Sequence, residues 1–167
     1  MPSKIMTRRL ALAGMTTCAF ALAACAPTNA PSVQATPAAA PGLRVRDIRV
    51  NTAPLLAQSG NPTAAWVQTA LPAALAQTFA LAPDDASAPT LSVRVNAIIL
   101  GPIGPEGGAI DTIKGMGTLG GRTTRLRATA FYTPSPVDQA LVEQALQGRV
   151  TTLAQAFAQA LPAKLGR

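Results

Sequence analysis

The sequence predicts an α+β fold: a small, mostly antiparallel sheet of about four strands with two long helices on one face, in the order β-α-β-β-β-α. Apolar and polar residues alternate over residues 43–50, 91–100 and 122–132, the two-residue period of half-buried strands. Apolar residues recur at three- and four-residue spacing after Asn61-Pro62 and again over residues 141–165, the period of an amphipathic helix. Glycine and proline clusters at residues 101–108 and 134–136 punctuate the chain, and short connections between the last three strands favour antiparallel neighbours.

Residues 1–24 stand outside this fold. Lys4, Arg8 and Arg9 form a basic start, and residues 10–24 carry no charge. That apolar run is shorter than the ~20 residues a permanent spanning helix needs, so it reads as a cleaved leader. It ends in Leu22-Ala23-Ala24-Cys25. The order of basic end, apolar run and Leu-Ala-Ala-Cys resembles the lipobox of bacterial lipoproteins. That resemblance implies cleavage before Cys25 and a diacylglyceryl group on its thiol. Ala26 is not an aspartate, which in the same family implies an outer-membrane destination with the body facing the periplasm. Two or more acyl chains, at roughly 0.8 kcal/mol per buried CH₂, make a firm tether. The alternative is an ordinary small-residue cut with Cys25 an incidental thiol, and Arg8-Arg9 leaves the export route open.

Residues 25–42 are then anchor and linker: Pro27, Pro31, Pro37 and Pro41 lie among Ala, Ser and Thr without a charge, an extended polyproline-rich spacer. Residues 43–167 remain as a single α+β domain. Without the leader's three cations the chain has eleven Lys and Arg against seven Asp and Glu, a net +4, too modest a surplus to argue for nucleic acid. Cys18 falls in the leader and Cys25 at the anchor, so no disulfide is expected. That suits an oxidising compartment.

Along the domain, the first strand alternates Val45 against Arg44 and Arg46, then slips phase at Asp47-Ile48, which predicts a bulge or strand end near Asp47. Asn61-Pro62 starts a helix whose stripe is Trp66, Val67, Ala70, Leu71, Ala74, Leu75 and Phe79, kinked or divided after Leu71 by Pro72. Residues 81–89 make a loop in which Asp84 and Asp85 are solvated. The clearest strand covers 91–100, with Leu91, Val93, Val95, Ala97 and Ile99 facing one way, and is expected at the centre of the sheet. After a wide turn at 101–108, residues 109–119 form a strand that becomes glycine-rich. The 122–132 strand follows, Leu126, Ala128 and Ala130 inward and Arg125 and Arg127 outward. Pro134-Ser135-Pro136 leads into the last helix, with Gly148 a weak point and Pro162 a stop.

The chemistry on offer is sparse. Gly115-Met-Gly-Thr-Leu-Gly120 fits G-x-G-x-x-G, but a dinucleotide site needs a strand feeding a helix N-terminus, and strand-like residues follow here. The chain contains no histidine, no thiol beyond those near the leader and no G-x-S-x-G, so neither a cofactor, a His/Cys metal site nor a catalytic residue is expected. An enzyme would require Asp111, Lys114 and a serine to converge. Two features remain. Arg122, Arg125 and Arg127 form an arginine row that is either a solvated sheet face or a surface for an anionic ligand or an acidic partner, the solvated face being the simpler account. Ile103, Ile110, Ile113, Met116 and Leu119 sit on a glycine-rich hairpin over residues 101–121, either tucked onto the core or used for docking.

In layout, the leader, the spacer and the small body resemble auxiliary and assembly lipoproteins of the bacterial envelope, such as those of ABC-type lipid transport or lipopolysaccharide assembly. The resemblance implies a membrane-anchored, periplasm-facing interaction or assembly factor with an envelope protein partner. The rival expectation is a binding module for an anionic lipid or glycan.

Overall fold

The computed structural model describes residues 43–59, 61–105 and 107–166. The expected leader over 1–24, the lipidated Cys25 and the linker over 26–42 lie outside those residues. The elements are β1 (Arg44–Val45), β2 (Asp47–Asn51), α1 (Ala53–Ser59), α2 (Asn61–Thr78), β3 (Ala80–Leu81), β4 (Thr90–Ile99), β5 (Ala109–Leu119), β6 (Arg122–Tyr132), α3 (Pro136–Ala140) and α4 (Val142–Leu165). They make the α+β fold expected from the residue pattern.

The main sheet has the order β2-β4-β5-β6. β2 pairs parallel with β4, and β4 with β5 and β5 with β6 pair antiparallel. The parallel pair follows from the helical crossover between β2 and β4, which returns the chain to the same end of the sheet. β1 and β3 add a two-residue parallel ribbon. The phase slip near Asp47 is a real break: the chain leaves the ribbon at Arg46, whose N–H donates to Pro89, and joins the main sheet one residue later.

Helices α2 and α4 pack on each other and on one side of the sheet, and one continuous core joins Leu71 and Leu75 of α2, Leu91, Val93 and Val95 of β4, Ile113 of β5, and Leu153, Phe157 and Leu161 of α4. Pro72 does not divide α2, which runs unbroken to Thr78. Likewise α4 continues through Pro162 to Leu165, where Gly166 N–H closes on the Pro162 carbonyl, so Pro162 marks the last turn and is not the stop. Helix α1 was not anticipated. Asn51 accepts the Ala53 N–H through its side chain and Leu55 is fully buried.

Two corrections concern which side chains point where. The register of β4 against β5 shifts between Val95 and Ala97, leaving Asn96 as the extra residue of a bulge. Beyond it the sides exchange, so Ile98 is buried and Ile99 is half exposed, the reverse of strict alternation. Two glycines of the 115–120 motif serve packing: a Cβ on Gly115 would lie 2.7 Å from the Arg94 carbonyl and 3.1 Å from the Phe157 ring, and one on Gly117 would lie 2.7 Å from a Leu161 methyl. Small residues there let α4 approach β5 closely. Gly120 and Gly121, with φ of +56° and +81°, form the two-residue turn between Leu119 and its partner Arg122, a conformation only glycine adopts without strain.

Candidate functional site

Alternation along paired strands assigns every sheet residue to one of two sides. Odd-numbered residues of β5 face α4, as the contacts at Gly115 and Gly117 fix, and even-numbered ones face away. Following the register from strand to strand, the side opposite the helices is built in rows: Arg49, Ser92, Thr118 and Thr123; then Asn51, Arg94, Met116 and Arg125; then Ala97, Lys114 and Arg127; then Ile99, Thr112 and Thr129; finally Ile110 and Phe131. Rows are separated by two residues, roughly 7 Å along the strands.

The middle of this open side is cationic. Arg49, Arg94, Lys114, Arg125 and Arg127 are all exposed, and Lys114 and Arg127 are direct cross-strand partners. Like charges placed opposite each other oppose pairing, so this arrangement costs stability. Among the described residues no carboxylate reaches ion-pair distance of Arg94, Lys114, Arg125 or Arg127. Asp47 is the exception on this side: it pairs with Arg49 at 2.9 Å, and that hydrogen bond holds its carboxyl below the usual range. A shallow cavity of ≈ 330 Å³ lies between these rows, lined by Arg49, Asn51, Ser92, Arg94, Met116 and Thr118.

The arginine row expected from the sequence is therefore redistributed. Arg125 and Arg127 share the open side, but Arg122 falls on the other side of β6, at the turn. Arg94 and Lys114 take its place, brought in by β4 and β5. The five apolar residues assigned to a hairpin also separate: Ile113 is fully buried in the core and Leu119 packs against it, Met116 lies half-buried on the open side, and Ile103 and Ile110 are exposed. The five therefore make no single surface, and only Ile103 and Ile110 remain exposed.

Asp111 and Lys114 lie on opposite sides of β5, so these two side chains do not converge. Asp111, 1% exposed, instead accepts from Arg149 Nε at 2.9 Å, from a second guanidinium nitrogen and from the Gly101 N–H. Arg149 also donates to the Gly101 carbonyl and stacks 4.6 Å over the Tyr132 ring. The Asp111 carboxylate raises the pKa of the guanidinium. Tyr132 in turn donates to Asp138 at 2.6 Å, which lowers the Asp138 pKa; burial, with the Asp138 bond second, raises that of Tyr132. This network fastens the turn after β4, the end of β6 and the start of α3 to helix α4. Every buried side-chain polar atom among the described residues has a partner.

Among the described residues no group of three or more His, Cys, Asp or Glu side chains could hold a metal, and no helix is long and apolar enough to cross a membrane. No protein-family model and no curated protein matches the chain. Solved structures do align. A minor lipoprotein from Acinetobacter baumannii matches at 12% identity over 71% of this chain and 93% of its own, with a TM-score of 0.36. PelC from Paraburkholderia phytofirmans, crystallised as a dodecamer, matches at 15% identity over 72% and 92%, with a TM-score of 0.31. At these identities and scores the likeness carries no statement about what this chain binds or assembles with.

Proposed function

We propose that this protein is a lipid-anchored, non-catalytic auxiliary factor of the bacterial envelope, tethered through Cys25 and facing the periplasm from the outer membrane. It works by binding an anionic partner on its open sheet side. The observation that carries this is the opposed pair Lys114 and Arg127, flanked by Arg94 and Arg125, solvent-exposed and without carboxylate partners among the described residues. Repulsion held within a sheet is relieved when phosphate or carboxylate groups settle between the cations.

The leader and Leu22-Ala23-Ala24-Cys25 support the address. The partner expected first from the layout was an envelope protein; the distribution of charge favours an anionic ligand, lipid or glycan, as the primary contact.

The test is the phosphorus content of the lipid-anchored protein purified from envelopes in neutral detergent, compared with an Arg125→Glu/Arg127→Glu variant. Co-purifying phosphate that falls in the variant supports the proposal. Equal phosphate in both, with a stoichiometric protein alongside, replaces it with the protein-partner reading.

A further inference from the structure

Of the nine large apolar side chains exposed among the described residues, seven occur where β4 ends, β5 begins, β6 ends and α3 leads into α4: Ile99, Ile103, Ile110, Phe131, Val137, Leu141 and Val142. Register and hydrogen bonds hold these segments at one end of the fold. Ile110 is the cross-strand partner of Phe131, and Ile99 lies one row away, opposite Thr112. The Gly101 N–H is fixed to Asp111, and Tyr132 is fixed to Asp138 at the start of α3. Phe131 is 69% exposed and Ile110 65%. The cationic rows begin two rows away, roughly 14 Å along the strands. An apolar end beside a cationic band is the pattern of a surface that rests in a lipid interface, with apolar groups at the acyl boundary and cations at the headgroups.

Building on the anionic-ligand reading of the open side, we infer that its occupant is the surface of an anionic phospholipid bilayer, on which the domain lies with that side down. A second copy of this chain is disfavoured, because two such surfaces would set four cations without carboxylate partners among the described residues against four. A soluble polyanion would satisfy the cations and leave Ile110 and Phe131 in water.

The tether has the length this pose needs. β2 runs parallel to β4 and begins opposite Thr90, so the chain enters the domain at the end away from Ile99. The ten residues of β4 separate the two ends by about 33 Å. The 17 residues between Cys25 and Leu43 span up to about 53 Å when extended at ~3.1 Å each. The domain can therefore lie flat on the bilayer that holds its anchor.

The experiment uses the full, lipid-anchored protein in vesicles. With Cys18 removed in the leader and Cys25 acylated, a cysteine introduced at Thr129 offers a single thiol for a polarity-sensitive fluorophore. Thr129 is exposed on the open side between Arg127 and Phe131, and Gln155→Cys on the exposed side of α4 is the control. Emission at position 129 should shift to the blue in vesicles containing phosphatidylglycerol and stay unshifted in pure phosphatidylcholine. Position 155 should not respond to either. Neutralising Arg125 should lower the docked-to-undocked ratio about fivefold at low salt. Equal emission at 129 in both lipids overturns the inference, as does a blue shift at 155 as large as at 129. Inositol hexakisphosphate added to the same labelled protein separates the two claims: a response to it without a lipid response leaves the anionic reading standing and removes the bilayer, and silence to both removes both.

Discussion

Replacing Asp111 with alanine should be among the most damaging single changes in this domain, for reasons specific to its partners. The carboxylate takes two bonds from Arg149 and one from the Gly101 N–H, inside a site where Asp111 is 1% and Arg149 9% exposed. Without it the guanidinium keeps the Gly101 carbonyl and the Tyr132 ring as partners, and the Gly101 N–H loses its acceptor. Breaking a buried pair in this way costs about 3–5 kcal/mol. In a domain of this size 1 kcal/mol corresponds to roughly 3–5 °C, so the midpoint of thermal unfolding should fall by about 9–25 °C. Removing both charges should hurt less: an Asp111→Leu/Arg149→Met variant no longer buries an unpaired ion and should recover at least about 2 kcal/mol relative to the sum of the single changes. Thermal and urea denaturation of the native protein, Asp111→Leu, Arg149→Met and the double variant measures this coupling, with Asp111→Ala run beside them. A loss below about 1 kcal/mol for Asp111→Ala, or strict additivity in the double variant, would show that the pair does not fasten α4 to the sheet as described.

Lys114→Glu should stabilise the fold by about 0.2–1 kcal/mol, since it turns a repulsive cross-strand pair into an attractive one, while weakening binding of an anionic probe; stability and binding moving together would contradict this. Gly115→Ala should destabilise by about 1–3 kcal/mol through contact with the Arg94 carbonyl and Phe157, measured by urea unfolding, and a neutral result would mean the strand-helix contact has room for a methyl group. The Tyr132 to Asp138 bond should show as a pH dependence. Because the bond depresses the folded-state pKa of Asp138, its stabilising contribution is present above the ordinary carboxyl range and is lost as pH falls through the depressed value. The stability difference between the native protein and Tyr132→Phe should therefore shrink under acid conditions, and a difference constant across the acid range would rule out this coupling. Cys25→Ser should abolish acylation and membrane association in a Gram-negative host; intact mass and fractionation would expose an unacylated, soluble native protein if the lipobox reading is mistaken.

Periodicity made the larger elements legible. The alternation at Leu91, Val93 and Val95 and the three- and four-residue spacing from Val150 to Leu161 report burial on one side directly, and both elements lie where they were expected. Short or non-local features were less accessible. α1 spans seven residues, too few for a period to declare itself, although Thr52 followed by Pro54 offers a cap residue and an early helical proline. The bulge at Asn96 could not be located from alternation alone, because Ile98, Ile99 and Leu100 are apolar on both sides.

The site was half visible. Arg125 and Arg127 face outward by the alternation of their own strand, but adding Arg94 and Lys114 requires the pairing register, which no single-strand pattern contains. Arg122 needed no register: three residues from Arg125 on the same strand, it falls on the opposite side of β6 by the two-residue period alone. Asp111 and Arg149 are separated by 38 residues, and nothing local to either announces the other.

Whether the open side binds through its own geometry, and not through the net charge of the chain, is decided by one comparison. The affinity of the full protein in neutral detergent for inositol hexakisphosphate would be measured alongside two double charge reversals: Arg125→Glu/Arg127→Glu on the open side, and Arg44→Glu/Lys164→Glu at exposed positions outside its rows. Both change the net charge equally. At physiological salt, where charges beyond about 8 Å are largely screened, the open-side pair should lose more than about tenfold in affinity and the distant pair less than about twofold. Equal losses in the two variants would contradict the claim that these rows form the binding surface.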